Sequence, residues 1–287
     1  MKKRITTILI ILMMLSGLSL LLYPTVRNYF YSLRYRQTIE EYQAVVMELD
    51  NETYERLLAE ALAYNERLAA KGPYMRDLLE SEMAEYNALL DPLGNGVMGY
   101  VDIPKVSIRL PIYHDVTEGV LQSGVGHLPG TSLPVGGETA HSILSGHRGL
   151  TSARLFTDID QLVEGDVFTL RILNEVLTYE VDQIITVLPA EVSQQQIETG
   201  QDYCTLLTCT PYGINSHRLL VRGHRIPTPE EPERSDPMQE ASEPDGGRIF
   251  GIPSELFYLI IAAGAALVLF VLLRIRKRNR YNPKRLK

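Results

Sequence analysis

Two uncharged apolar runs of eighteen residues, Ile5–Leu22 and Leu256–Leu273, constrain this chain more than any other feature. Each is long enough to cross a bilayer as a helix. The first follows Lys2-Lys3-Arg4 directly and ends at Tyr23-Pro24, and the second is followed at once by Arg274, Arg276, Lys277, Arg278 and Arg280. Positive charge stays on the cytoplasmic side, so both termini are expected inside the cell and everything between the runs outside. A cleavable signal peptide would also begin with basic residues, but no small-x-small cleavage site follows the first run, which favours a retained anchor. A buried core helix is the alternative for the second run; its continuous apolarity, with no polar face, disfavours that.

Charge agrees with a membrane setting. Eleven of the 28 Lys and Arg residues lie at the two extreme ends, leaving 17 against all 35 Asp and Glu, a net charge of −18 between them. Nucleic acid is excluded as a partner, because phosphate contacts need a basic face. Ile226 to Gly247 holds five prolines and seven acids and almost no large apolar side chain. Such a stretch cannot bury enough surface to fold and reads as an extended, self-repelling tether. The expected organisation is an N-terminal anchor over 1–25, a helical region over 26–97, a β domain over 98–225, a linker over 226–252, a second span over 253–273 and a basic tail over 274–287.

Within the outer part, Tyr35, Ile39, Tyr42, Val46 and Leu49 recur at spacings of four and three, as do Tyr54, Leu57, Leu58, Ala61, Tyr64 and Leu68. Both sets predict amphipathic helices. Gly72-Pro73 ends the second, and Arg76 to Leu90 holds room for a short third before Asp91-Pro92 and Gly94-Asn95-Gly96. From Gly99 the period becomes two. Ile108, Leu110 and Ile112 alternate with polar or turn residues, as do Phe168, Leu170 and Ile172, and Leu177, Tyr179 and Val181 beyond a turn at Asn174-Glu175. Further short runs at 99–103, 141–145, 203–208 and 218–222 bring the count to seven or eight strands, which favours a closed barrel.

Cys204 and Cys209 are the only cysteines. Five residues of strand span about 16 Å and the odd spacing puts the two side chains on opposite faces, too far apart for a disulfide. Cys204 lies inside an apolar strand and reads as a small buried hydrophobe. Cys209 ends that strand beside the turn Thr210-Pro211-Tyr212-Gly213, where a thiol is both fixed and accessible. Arg218, nine residues on, begins the next strand, and its permanently charged fork suits a thiolate or an oxyanion but cannot act as a base. A proton carrier must come from six histidines: His114, His127, His141, His147, His217 and His224. His147 ends a strand beside a loop and His217 neighbours Arg218, so spacing leaves both open. His141 with His147 lacks a third ligand for a metal. No metal or organic cofactor is indicated.

The string Thr205-Leu206-Leu207-Thr208-Cys209-Thr210-Pro211-Tyr212-Gly213, continuing to Arg218, resembles the T-L-x-T-C … R signature of sortases in their class C, pilin-polymerising branch. Met98 to Lys105, Leu110 to His114, Gly124 to Leu128, Thr131 to Gly137, Ser145-Gly146-His147-Arg148-Gly149-Leu150 and Leu155 to Asp160 resemble further class C blocks in their usual order, as does Leu22-Tyr23-Pro24-Thr25-Val26. The resemblance implies a mainly β fold: an eight-stranded sortase β-barrel with N-terminal helices, here flanked by two transmembrane helices. It implies Cys209 as nucleophile, His147 as general acid/base and Arg218 as the thiolate and oxyanion partner, with Thr208 beside the substrate groove. The implied reaction cleaves a Leu-Pro-x-Thr-Gly-like sorting signal after Thr, forms a thioester and passes the acyl group to a pilin lysine; the partners are pilin subunits and the membrane. Transfer to peptidoglycan and a non-catalytic peptide-binding module are the alternatives. Class C enzymes also carry a lid with an Asp-Pro-aromatic motif. Here Gly72-Pro73-Tyr74 supplies Pro73 and Tyr74 without the Asp, and Asp91-Pro92-Leu93 has the acid without the aromatic. Tyr74 is expected to plug the groove with a weakened latch, or else to pack on the barrel after a helix that Pro73 merely ends.

Overall fold

The structure, a computed structural model, describes residues 2–75, 77–150, 153–229, 248–249 and 252–253. The expected second span and basic tail lie outside the described residues. Arg27–Glu230 forms one compact unit, and Met1–Val26 with Glu231–Lys287 forms another. In the latter, Arg248–Ile249 and Ile252–Pro253 pair as two short antiparallel strands.

Helix α1 runs from Lys2 to Glu48 and passes through Pro24, so the boundary expected at residue 25 is not a break in secondary structure. Its most apolar eighteen-residue window has a mean hydropathy of 1.6 and none of it is buried. Among the described residues it is the one helix able, by length and composition, to cross a membrane. The later part of α1 buries Tyr35, Ile39, Tyr42 and Val46, the stripe its spacing predicted. α2, Asn51–Ala70, starts at Asp50, whose carboxylate accepts from the Thr53 amide at 2.7 Å, and buries Leu57, Ala61, Tyr64 and Leu68. α3, Glu80–Ala88, buries Tyr86 completely. Each fully buried side chain of this size contributes about 1.5–3 kcal/mol.

Polar contacts set how the helices sit on the barrel. The Tyr42 hydroxyl donates to Met98 O and accepts from Leu173 N, both at 2.7 Å. Asn65, in α2 and 3% exposed, donates to Leu133 O and Gly136 O and accepts from Leu133 N. An amide able to give and take is needed there, because an unmet buried carbonyl or amide costs about 1–3 kcal/mol.

The barrel strands are β1 Val97–Ile103, β2 Ile108–His114, β3 Val125–His127, β4 Ala140–Ser145, β5 Val167–Ile172, β6 Glu175–Val187, β7 Asp202–Thr210 and β8 His217–Ile226, and α4 covers Glu118–Ser123. They close in the order β1-β2-β3-β4-β7-β8-β6-β5. β2 with β3 and β4 with β7 are parallel; the other pairs are antiparallel. The eight-stranded barrel expected from sequence is present. β3 has no period-two signature, since it is three residues long with Gly126 at its centre. That glycine is required, as a Cβ would stand 2.2 Å from the Asp115 carbonyl oxygen. The β5–β6 turn falls at Leu173-Asn174, one residue earlier than expected, with Leu173 at φ 53°.

Candidate active site

Alternation along β4, β7 and β8 sorts their side chains between the barrel interior and its outer face. Leu144, Leu206, Leu219 and Val221 belong to the main core, and Ile143, Leu207 and Leu220 to a separate cluster. Registers Ser145↔Leu207, Leu207↔Leu220 and Leu220↔Ile185 align that outer set across β4, β7, β8 and β6. With Ile185, Val187 and, from above, Val192, it forms an apolar floor.

Two residues from that set along β7 and β8, on the same face, lie Cys209 and Arg218, and His147 lies two residues past Ser145, where β4 ends. Cys209 and Arg218 are direct partners across β7 and β8. Directly opposed residues of an antiparallel pair share a face with Cβ atoms about 5 Å apart. The two cysteines are free: Cys204 is fully buried inside the barrel and Cys209 is half-buried outside it. Burial pushes the Cys204 thiol well above its ordinary pKa, which keeps it protonated and inert.

Two ties bracket Cys209 and His147. The Thr208 hydroxyl donates to Gly146 O at 2.7 Å, and Arg148 Nη1 donates to Thr210 Oγ1 at 3.3 Å. The residues before and after Cys209 are thus joined to those before and after His147. Gly146 N also donates to Leu207 O, and Phe156 N to His147 O. Gly146 must lack a side chain here, since a Cβ would meet the Phe156 ring at 2.6 Å. Arg148 is anchored in turn by Asp160. The Arg218 guanidinium donates to Asn215 O at 3.2 Å and to His217 O at 3.0 Å, the carbonyls just before it at the start of β8. His147 Nε2 lies 3.3 Å from Glu118 Oε2.

Residues 101–226 match the sortase domain. The chain is 32% identical over 150 residues to sortase A of Bacillus anthracis, covering 52% of this chain and 69% of that protein. The chain belongs to the sortase family. Its solved neighbours include sortase C1 of Streptococcus agalactiae, at 50% identity and a TM-score of 0.65 over 67% of this chain and 99% of the other. They also include sortase C of Clostridium perfringens solved with a C-terminal cell wall sorting motif, at 44% identity and a TM-score of 0.57, covering 67% of this chain and 99% of that one. This sortase is therefore a cysteine transpeptidase whose neighbours are class C enzymes.

Of the sortase's other histidines, His114, His127 and His141 are buried, each within hydrogen-bond distance of a backbone carbonyl. His217, the competitor by spacing, holds its Nδ1 2.8 Å from the Ser216 hydroxyl. Thr208 was expected beside the groove; it is 1% exposed and points into the barrel, because it is one residue out of phase with Cys209. Its part is the tie to Gly146.

The Pro73-Tyr74-Met75 segment reaches the floor through Met75. Tyr74 pairs with Gln196, and Ile197 N donates to Pro73 O at 2.7 Å. Gln196 is itself held by His141, whose Nδ1 donates to its carbonyl at 2.7 Å. Tyr74 remains 57% exposed, and the side chain packed on the floor is Met75. Sequence reasoning passed over Met75, Arg148 and Glu118. Arg148 was legible as part of Gly146-His147-Arg148; nothing in the local pattern marks the other two.

Proposed function

We propose that this sortase polymerises pilins, with Cys209 as nucleophile, His147 as general acid/base and Arg218 as the group that stabilises thiolate and oxyanion. The observation that carries this reading is the pairing of Cys209 with Arg218 across β7 and β8, with His147 two residues past the end of β4 in a segment tied on both sides to the residues flanking Cys209. A Leu-Pro-containing sorting signal lays its apolar residues on Leu207, Leu220 and Ile143, which brings its scissile carbonyl to Cys209. Attack of the sulfur gives a thioester and releases the segment after Thr; the thioester retains its acyl energy for an amine. A pilin lysine takes the acyl group and forms an isopeptide bond. Arg218 turns from the Asn215 and His217 carbonyls toward the oxyanion as charge develops there. Support for the sorting signal comes from the Clostridium perfringens neighbour and its bound motif. Support for pilins comes from a Streptococcus pneumoniae sortase C neighbour, described in terms of pilin substrate specificity and 44% identical to this chain.

In the same reading the Pro73-Tyr74-Met75 segment is a lid whose Met75 covers the floor. The enzyme sits in the cell membrane by two spans, the Ile5–Leu22 part of α1 and Leu256–Leu273, with the barrel outside and both termini in the cytoplasm. The test is intact mass of the full chain with a Leu-Pro-x-Thr-Gly peptide. An acyl adduct that vanishes in Cys209→Ala is expected, and no adduct with any sorting peptide would reduce the barrel to a binding module.

A further inference from the structure

Glu118 opens α4, on the connection between β2 and β3, and its side chain is 68% exposed. It is oriented nonetheless. Gln122 Nε2 donates to its Oε1 at 2.8 Å, and its Oε2 faces His147 Nε2 at 3.3 Å. The hydrogen bond from Gln122, and then the charge of His147, hold the Glu118 carboxyl below the usual carboxylate range, so it is ionised at neutral pH. His147 is only 24% exposed. An anionic oxygen on a mostly exposed side chain therefore stands 3.3 Å from Nε2 of the base.

The second half of the proposed reaction needs such a group. A lysine side chain reaches the enzyme as an ammonium ion, which cannot attack until it gives up a proton. A carboxylate draws it in, and a base one contact away deprotonates it. We infer that Glu118 is the docking residue for the acceptor ammonium, selecting a charged amine over water at the thioester. The inference rests on the assignment of Cys209 and His147 above. In the step it serves, the ammonium pairs with Glu118 and gives one proton to His147. Its nitrogen attacks the thioester carbon, a C–N bond forms and the C–S bond breaks. The second proton of the adduct passes to the departing Cys209 sulfur, leaving amide, thiol and imidazolium.

The test uses the full chain in detergent, first acylated by a Leu-Pro-x-Thr-Gly peptide. The partition of the thioester between water and two nucleophiles is then read by mass. One nucleophile is lysine amide blocked at its α-nitrogen, which is cationic at pH 7; the other is hydroxylamine, which is uncharged there. Glu118→Gln keeps the Gln122 contact and removes the charge. The expected result is a fall of about fivefold in the lysine-to-water ratio, the scale of an exposed ion pair, and none in the hydroxylamine-to-water ratio. Glu118→Asp should lie between, and 0.5 M salt should shrink the difference. Equal losses with both nucleophiles would show that Glu118 only orients His147 and would overturn the inference, as would no loss with either. Absence of any adduct in the unaltered chain would instead overturn the Cys209 assignment, and the role of Glu118 with it.

Discussion

The hydroxyl of Thr208, the residue before Cys209, donates a 2.7 Å hydrogen bond to the carbonyl of Gly146, the residue before His147. Strands β4 and β7 are parallel neighbours, so their ends are held by this tie and its counterpart from Arg148 to Thr210 rather than by a turn. Thr208→Val keeps the shape and strips the donor from a buried carbonyl. It should cost about 1–3 kcal/mol, read as a shift in denaturant midpoint. Acylation of Cys209 should fall further than the loss of folded protein accounts for, and Thr208→Ser should recover it. Unchanged acylation in the valine variant would make the tie purely structural.

Arg218→Lys retains the charge and loses the planar fork. Among the described residues Arg218 donates to the carbonyls of Asn215 and His217 just before it, so folding should suffer little. Turnover should fall about 10²–10³-fold, as when an oxyanion donor is removed elsewhere. A kcat near that of the parent enzyme would take Arg218 out of the mechanism.

Met75 packs on the floor formed by Ile143, Val192, Leu207 and Leu220. A covered site lowers apparent affinity in proportion to the fraction of molecules that are closed, so Met75→Ala should lower KM for a sorting peptide by about threefold or more, with kcat little changed. Tyr74→Ala, which removes a mostly exposed ring and no floor contact, should do less. The opposite ranking in the two KM values would return the plug to Tyr74.

His127 is fully buried, stacked on Tyr86, with Nε2 facing Ser132 O at 2.8 Å and Nδ1 facing the Tyr86 hydroxyl at 2.9 Å. Burial lowers its pKa from 6.5 to about 3, and burial lowers that of His141 too. Both stay neutral in the folded barrel while the unfolded chain protonates below about pH 6.5. Stability from His127 is therefore complete above pH 6.5 and lost as pH falls from there toward 3, by up to about 1.4 kcal/mol per pH unit, and His141 adds to the loss in the same direction. Denaturant midpoints for the Arg27–Glu230 unit at pH 7, 6 and 5 should fall in that order; a flat profile would mean these histidines are open to protons when folded.

Much of this was legible in local pattern. The stripe Tyr35, Ile39, Tyr42, Val46 and the set Leu57, Ala61, Tyr64, Leu68 are buried as their spacing required, since a helix repeats every 3.6 residues whatever it packs against. The odd interval between Cys204 and Cys209 placed one thiol inside and one outside, because a strand alternates faces. The same alternation, applied to Thr208, would have turned it inward, away from the groove. β3 escaped because three residues around a glycine carry no period.

What the sequence by itself determined is therefore what one segment dictates to its own backbone: an apolar N-terminal helix long enough to span a membrane, the buried faces of α1 and α2, and the alternating strands. The cysteine motif, by its resemblance, also marks the family. Tertiary structure alone decided what depends on register between distant segments. Examples are the ties from Thr208 to Gly146 and from Arg148 to Thr210, the packing of Met75 on the floor, and Glu118 beside His147. None of these leaves a local trace, because each joins residues whose separation along the chain bears no relation to their separation in space. Only closure of the barrel brings β4, β7 and β8 side by side.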